Sequence, residues 1–146
     1  MLKQFWTNTM VADLHRTIPF YRDVLGFEHV MSVPAGSEDT LFHYDPSRPL
    51  VYAMLKHGGI ELMFQERGSL IENVPAFGPA PEIGATITFY FRVEDVDALA
   101  LRLREHCPVV RDLHDTFYGM REIYVRDPDG YVLGFSQEIG QEIVQG

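Results

Sequence analysis

Val11-Ala12-Asp13-Leu14 and Val93-Glu94-Asp95-Val96 are the stretches whose reading decides the fold. Each ends a run of β-forming residues and opens an amphipathic one. In each, an aspartate stands where it can accept hydrogen bonds from the unpaired first amides of a helix. Upstream of the first, Phe5 to Val11 reads as a strand. Downstream, Leu14, Ile18, Tyr21 and Leu25 share one helical face, and Gly26 suits the residue just past a helix end. Pro19 conflicts with a helix interior, because proline has no amide proton and crowds the preceding turn. The regular helix is therefore expected to start late, with Pro19 in its first turn. Around the second junction, Ala85 to Val93 alternates Thr86, Thr88 and Tyr90 with Ile87, Phe89 and Phe91. Val96, Leu99, Ala100 and Leu103 then form an apolar stripe.

The remaining segments complete two copies of one order. Phe27 to Val33 reads as a strand, and residues 34–49 as loop. Leu50 to Lys56 and Ile60 to Gln65 read as a hairpin over His57-Gly58-Gly59. Arg67 to Gly84, with Pro75, Gly78, Pro79 and Pro81, reads as a linker. Val109 to Leu113, Arg121 to Arg126 and Tyr131 to Ser136 read as strands, the last two joined by the turn Asp127-Pro128-Asp129-Gly130. Strand–helix–strand–strand–strand thus occurs twice. The expected fold is α+β, one domain over residues 1–146. It comprises two βαβββ modules, about 1–66 and 85–140, joined by 67–84 and forming a cleft for a small molecule.

Composition narrows the function. A chain of 146 residues that is 46% hydrophobic can bury a core. A net charge of −9 argues against nucleic acid and anionic membrane surfaces as partners, and it would favour a cationic ligand. Acidity also simply favours solubility. No apolar run is long enough to cross a membrane, and the start Met1-Leu2-Lys3-Gln4-Phe5-Trp6 has no apolar h-region. With Cys107 the one cysteine, no internal disulfide can form, which fits a cytoplasmic location. Cys107 follows the second helical stripe and reads as a buried structural thiol.

Three stretches carry a family pattern. They are Val11 to Phe27, with Phe20-Tyr21-Arg22-Asp23-Val24-Leu25-Gly26-Phe27 at its end; Gly59-Ile60-Glu61-Leu62; and Arg121 to Tyr131, containing Arg126-Asp127-Pro128-Asp129-Gly130. Together they resemble the vicinal oxygen chelate superfamily, which includes glyoxalase I, extradiol dioxygenases and the fosfomycin and bleomycin resistance proteins. The resemblance implies a divalent metal held by His or Gln on the first strand, Glu on the fourth, His on the fifth and Glu on the eighth. Those positions fall on Trp6, Glu61, Thr88 and Gly134. Only Glu61 is a good ligand, and one carboxylate is too little to hold a catalytic metal. The chain therefore resembles most closely the bleomycin-resistance branch, whose members bind a ligand without a metal.

The expected function is sequestration of a cationic or planar small molecule, with no catalytic residue, metal or cofactor, by a homodimer typical of the resembling families. The alternative is a metal-dependent lyase, isomerase or dioxygenase with displaced ligands, drawing His43, His57 or His114 towards Glu61. Trp6 could stack on a flat ligand or contact a cation, or else fill core space. Asn8, on the same strand face, could orient a polar group of the ligand. Glu61 interrupts an apolar strand that also carries Met63, so its carboxylate meets either the ligand or solvent. Thr88 and Tyr90 share a strand face with Arg92. Tyr118 belongs to a segment, Asp112 to Met120, that is expected to form a loop over the cleft mouth.

Overall fold

The computed structural model describes residues 1–84 and 86–140. The chain divides into two compact units, one of Met1–Ile83 and one that begins at Gly84. The first contains β1 (Asn8–Val11), α1 (Leu14–Pro19), β2 (Glu28–Pro34), β3 (Leu50–His57), β4 (Ile60–Glu66) and α2 (Arg67–Asn73). The second contains β5 (Thr88–Arg92), α3 (Val96–His106), β6 (Val109–Asp115), β7 (Met120–Arg126) and β8 (Val132–Glu138). The strand orders, β1-β4-β3-β2 and β5-β8-β7-β6, are the same arrangement twice. In each sheet the first and fourth strands pair in parallel, and the other neighbours are antiparallel. The α+β architecture of two βαβββ modules expected from the sequence is therefore present.

Both junction aspartates cap helices. Asp13 accepts from the His15 amide at 2.8 Å, and Asp95 from the Ala98 amide at 3.0 Å. The expected stripes face inward: Leu14, Ile18 and Tyr21 in the first unit, and Val96, Ala100 and Leu103 in the second, are buried. They pack against the sheet side bearing Ala53, Leu55 and Phe64, and against Ile123, Val125 and Leu133, respectively.

Five boundaries differ from expectation. α1 starts at Leu14, so Pro19 lies inside the helix and not in its first turn. The missing amide is accommodated by widening: Phe20–Val24 form a π turn, which ends at Gly26 with φ of 80°. β1 starts at Asn8 and not Phe5, since its ladder with β4 ends where the Thr7 carbonyl accepts from the Met63 amide at 3.2 Å. The stretch read as linker carries α2 and a short 3₁₀ turn, Pro75–Phe77. The Glu66 carboxylate starts α2 by accepting from the Gly68 and Ser69 amides. Of the segment Asp112 to Met120, expected as a loop, residues 112–115 belong to β6, which runs two residues past the expected end at Leu113 and leaves a turn at Thr116 to Gly119. The expected strand from Ala85 is shorter at its start, and Ala85 itself lies outside the described residues.

Cys107 ends α3 and is buried, as expected. Burial, with Asp127 adding to the effect, pushes its thiol up to about 11. Thiolate is the reactive form, so at pH 8 the native protein should react with a disulfide reagent far more slowly than the urea-unfolded chain. Equal labelling rates would show that Cys107 is accessible.

Candidate functional site

Strand alternation sorts the side chains of each sheet. In the first unit, Leu62 and Phe64 face the helix, with the Phe64 ring 4.8 Å from that of Tyr21. Glu61, Met63 and Gln65 therefore lie on the face away from α1. Register carries that face across the sheet: Asn8 pairs with Met63, Met63 with Met54, and Met54 with Met31. Three methionines thus form a row ending at Asn8, a soft and polarizable surface.

The first unit brings four expected site residues together. Trp6 is 42% exposed, so it does not fill the core. Its indole Nε1 donates to Glu61 Oε2 at 2.6 Å. Asn8 Nδ2 donates to Gln65 Oε1 at 2.8 Å, and Gln65 Nε2 donates to Ser69 Oγ at 2.9 Å, so the Asn8 amide is already oriented by the protein. Met63 stands between Asn8 and Met54 in the row.

In the second unit, the corresponding face carries Tyr90, Gly134 and Tyr124 in one row, and Arg92, Ser136, Glu122 and His114 in the next. Glu122 organises it. Its side chain is 1% exposed. Oε2 accepts from the Tyr90 and Tyr118 hydroxyls, the latter at 2.9 Å. Oε1 accepts from Tyr118 at 2.9 Å and from Tyr124 at 3.2 Å. His114 Nε2 lies 3.5 Å from Oε1, while its Nδ1 meets the Asp112 carbonyl at 2.9 Å. The His114 ring stacks on that of Tyr124, with centroids 6.1 Å apart. Tyr90 is 48% exposed, and Thr88 on the same strand is exposed without joining this network.

Charge follows from this geometry. Burial acts to raise the Glu122 carboxyl, but hydrogen bonds from Tyr90, Tyr118 and Tyr124, with His114 nearby, outweigh it and hold the group below its ordinary value of 4.5. The same contacts act oppositely on the phenols. Burial and the Glu122 charge push Tyr124 up to about 12, and Tyr90 and Tyr118 also rise. At neutral pH the cluster is one carboxylate held by neutral phenols.

Of these residues, the sequence points to Tyr90 and Tyr118 as ligand contacts and to His114 only as a displaced metal ligand, while it gives Glu122 and Tyr124 no role. The available signal was Glu122 sharing a strand face with Met120 and Tyr124. Its partners depend on cross-strand register, which one sequence does not reveal.

The positions matching the family's metal ligands do not fit a metal. In the first unit, Trp6 replaces one ligand, and its indole donates to Glu61, the remaining one. In the second, Thr88 lacks an imidazole, and Gly134 lies beneath two rings. A Cβ at Gly134 would fall 2.7 Å from Tyr124 Cε1 and 3.0 Å from Tyr90 Cδ1. Among the described residues, no three His, Cys, Asp or Glu side chains gather to hold a cation. Of the alternative histidines, His57 lies against the Phe27 ring and His114 stacks on Tyr124.

Two units of one strand–helix–three-strand plan, each with a tethered aromatic ring on the sheet face away from its helix, define a duplicated βαβββ protein. The chain belongs to the Glyoxalase/Bleomycin resistance protein/Dioxygenase superfamily, whose sequence profile matches residues 3–135. Similar solved structures include a protein of unknown function from Agrobacterium tumefaciens, 22% identical with a TM-score of 0.69, covering 95% of this chain and 98% of that one. TioX from Micromonospora sp. ML1 is 22% identical with a TM-score of 0.67, covering 94% and 99%. A lactoylglutathione lyase from A. tumefaciens is 25% identical with a TM-score of 0.65, covering 92% of each chain. No curated protein is significantly similar to the chain. No helix among the described residues is long and apolar enough to cross a membrane.

The close approach at Gly134 makes a direct prediction. Gly134→Ala must push aside two rings whose hydroxyls are tied to Glu122. The expected cost is about 1–3 kcal/mol of unfolding free energy by urea denaturation, the range for overpacking. An unchanged midpoint would show that the rings yield freely.

Proposed function

We propose that this protein binds and sequesters a planar or cationic small molecule without using a catalytic metal. The observation that carries the reading is at Gly134. The position where the family places a carboxylate ligand is both glycine and covered by the Tyr90 and Tyr124 rings, so the space is filled by recognition-type side chains. The Trp6–Glu61 hydrogen bond supports the same reading, because the one retained carboxylate orients an aromatic ring. Trp6, Asn8, Glu61 and Met63 in the first unit, and Thr88, Tyr90 and Tyr118 in the second, are the proposed contacts. Half-exposed aromatic rings with fixed polar handles suit a flat ligand, since little side-chain freedom remains to be lost on binding. The competing reading, a metal-dependent lyase, isomerase or dioxygenase, draws on the lyase among the similar structures.

Elemental analysis of the purified native protein by plasma mass spectrometry separates the two. Sequestration predicts far less than one transition metal per chain. Near one tightly held metal per chain, with turnover lost on chelation, would overturn it. Native mass spectrometry of the same sample should give the mass of a homodimer and reveal any retained compound.

A further inference from the structure

We propose that the rim formed by Tyr90, Tyr118 and Tyr124 around Glu122 recognises a flat organic cation bearing N–H donors, such as a protonated amino-heteroaromatic. This rests on the sequestration reading and names the chemistry of its ligand. A phenol has one proton to donate. Tyr90, Tyr118 and Tyr124 each direct theirs at the Glu122 carboxylate. What the three hydroxyls have left is oxygen lone pairs, so the rim can accept hydrogen bonds but has no phenolic proton free to donate. Behind it sits a carboxylate that is 1% exposed, beyond the reach of most solvent screening. A cation gains from that charge and from the electron-rich face of the Tyr90 ring, and a carboxylate or sulfonate loses on both counts.

The other charged groups leave this polarity in place. Arg92, on β5, is paired with Glu138 of β8 at 2.9 Å. Arg111, on β6, acts on Tyr118 but is exposed and screened by water. His114 Nδ1 lies against the Asp112 carbonyl, and its Nε2 faces Glu122 itself. The Tyr90 ring is also fixed in place, tied at its hydroxyl and seated against Gly134. Glu122 is thus a positioning residue as well as the source of charge.

The test is isothermal titration of the full chain with two tricyclic probes of similar shape, 9-aminoacridine as the cation and anthracene-9-carboxylate as the anion. The cation should bind once per chain and about tenfold or more tighter than the anion, a difference expected of one buried charge with a cation–ring contact. Glu122→Gln should remove most of that preference. Tyr90→Phe keeps the ring, loses the tether and acceptor, and should weaken the cation about three- to tenfold. It serves as the readout if Glu122→Gln does not fold. Equal affinity for the two probes would overturn the proposal. So would no binding of the cation at millimolar concentration, or cation binding lost in Trp6→Phe and untouched in Tyr90→Phe. A stoichiometric metal would defeat the sequestration reading and still leave the probe preference to be read in the same titrations.

Discussion

Glu122 is the constraint on which the second unit's aromatic face depends. A carboxylate this deeply buried is costly unless its lone pairs are filled. Three phenols fill them, from β5, from β7 and from the turn before β7. Satisfying one charge therefore fixes three rings. Those rings in turn dictate a neighbour: with Tyr90 and Tyr124 leaning inward to reach Glu122, only glycine fits between them at position 134. The carboxylate, the tyrosines and the glycine form one interlocked solution. A metal-ligating side chain at 134 would have to break it.

The first unit uses a related device in a wetter setting. Trp6 is held by Glu61 as Tyr90 is held by Glu122, in both cases through the ring's polar edge to a strand carboxylate distant in sequence. The energetics differ. Glu61 and Trp6 are both exposed, so their hydrogen bond competes with water and adds little net stability. Its effect is mainly to orient the indole. Glu122 is shielded, and there the same kind of contact holds structure together.

Much of the fold was legible because it rests on local signals. Asp13 and Asp95 announce their helices, Leu14, Ile18, Val96 and Leu103 mark the buried stripes, and the element order repeats. The errors fell where local rules competed. Pro19 argued for a late helix start, but a π turn absorbed the lost hydrogen bond. Proline and glycine between Arg67 and Gly84 hid the Glu66 cap that starts α2. The site was only half legible. Trp6, Asn8, Glu61 and Met63 do gather, and Tyr90 and Tyr118 meet. What brings the latter two together is Glu122, which looks like an ordinary strand glutamate until the β5-β8-β7 register sets it beside Tyr90. Long-range register is set by packing of the whole sheet and leaves no mark at a single position.

The most direct measurement is an NMR titration of the Glu122 side-chain carboxyl carbon, assigned by comparison with Glu122→Gln. If three phenolic hydrogen bonds outweigh burial, the carboxyl titrates below 4.5. The stability it contributes is then present at neutral pH and lost as pH falls through that folded-state value. A midpoint above 4.5 would mean that burial wins and the cluster holds a neutral acid. That result would contradict an ionised carboxylate as the organiser of the aromatic face.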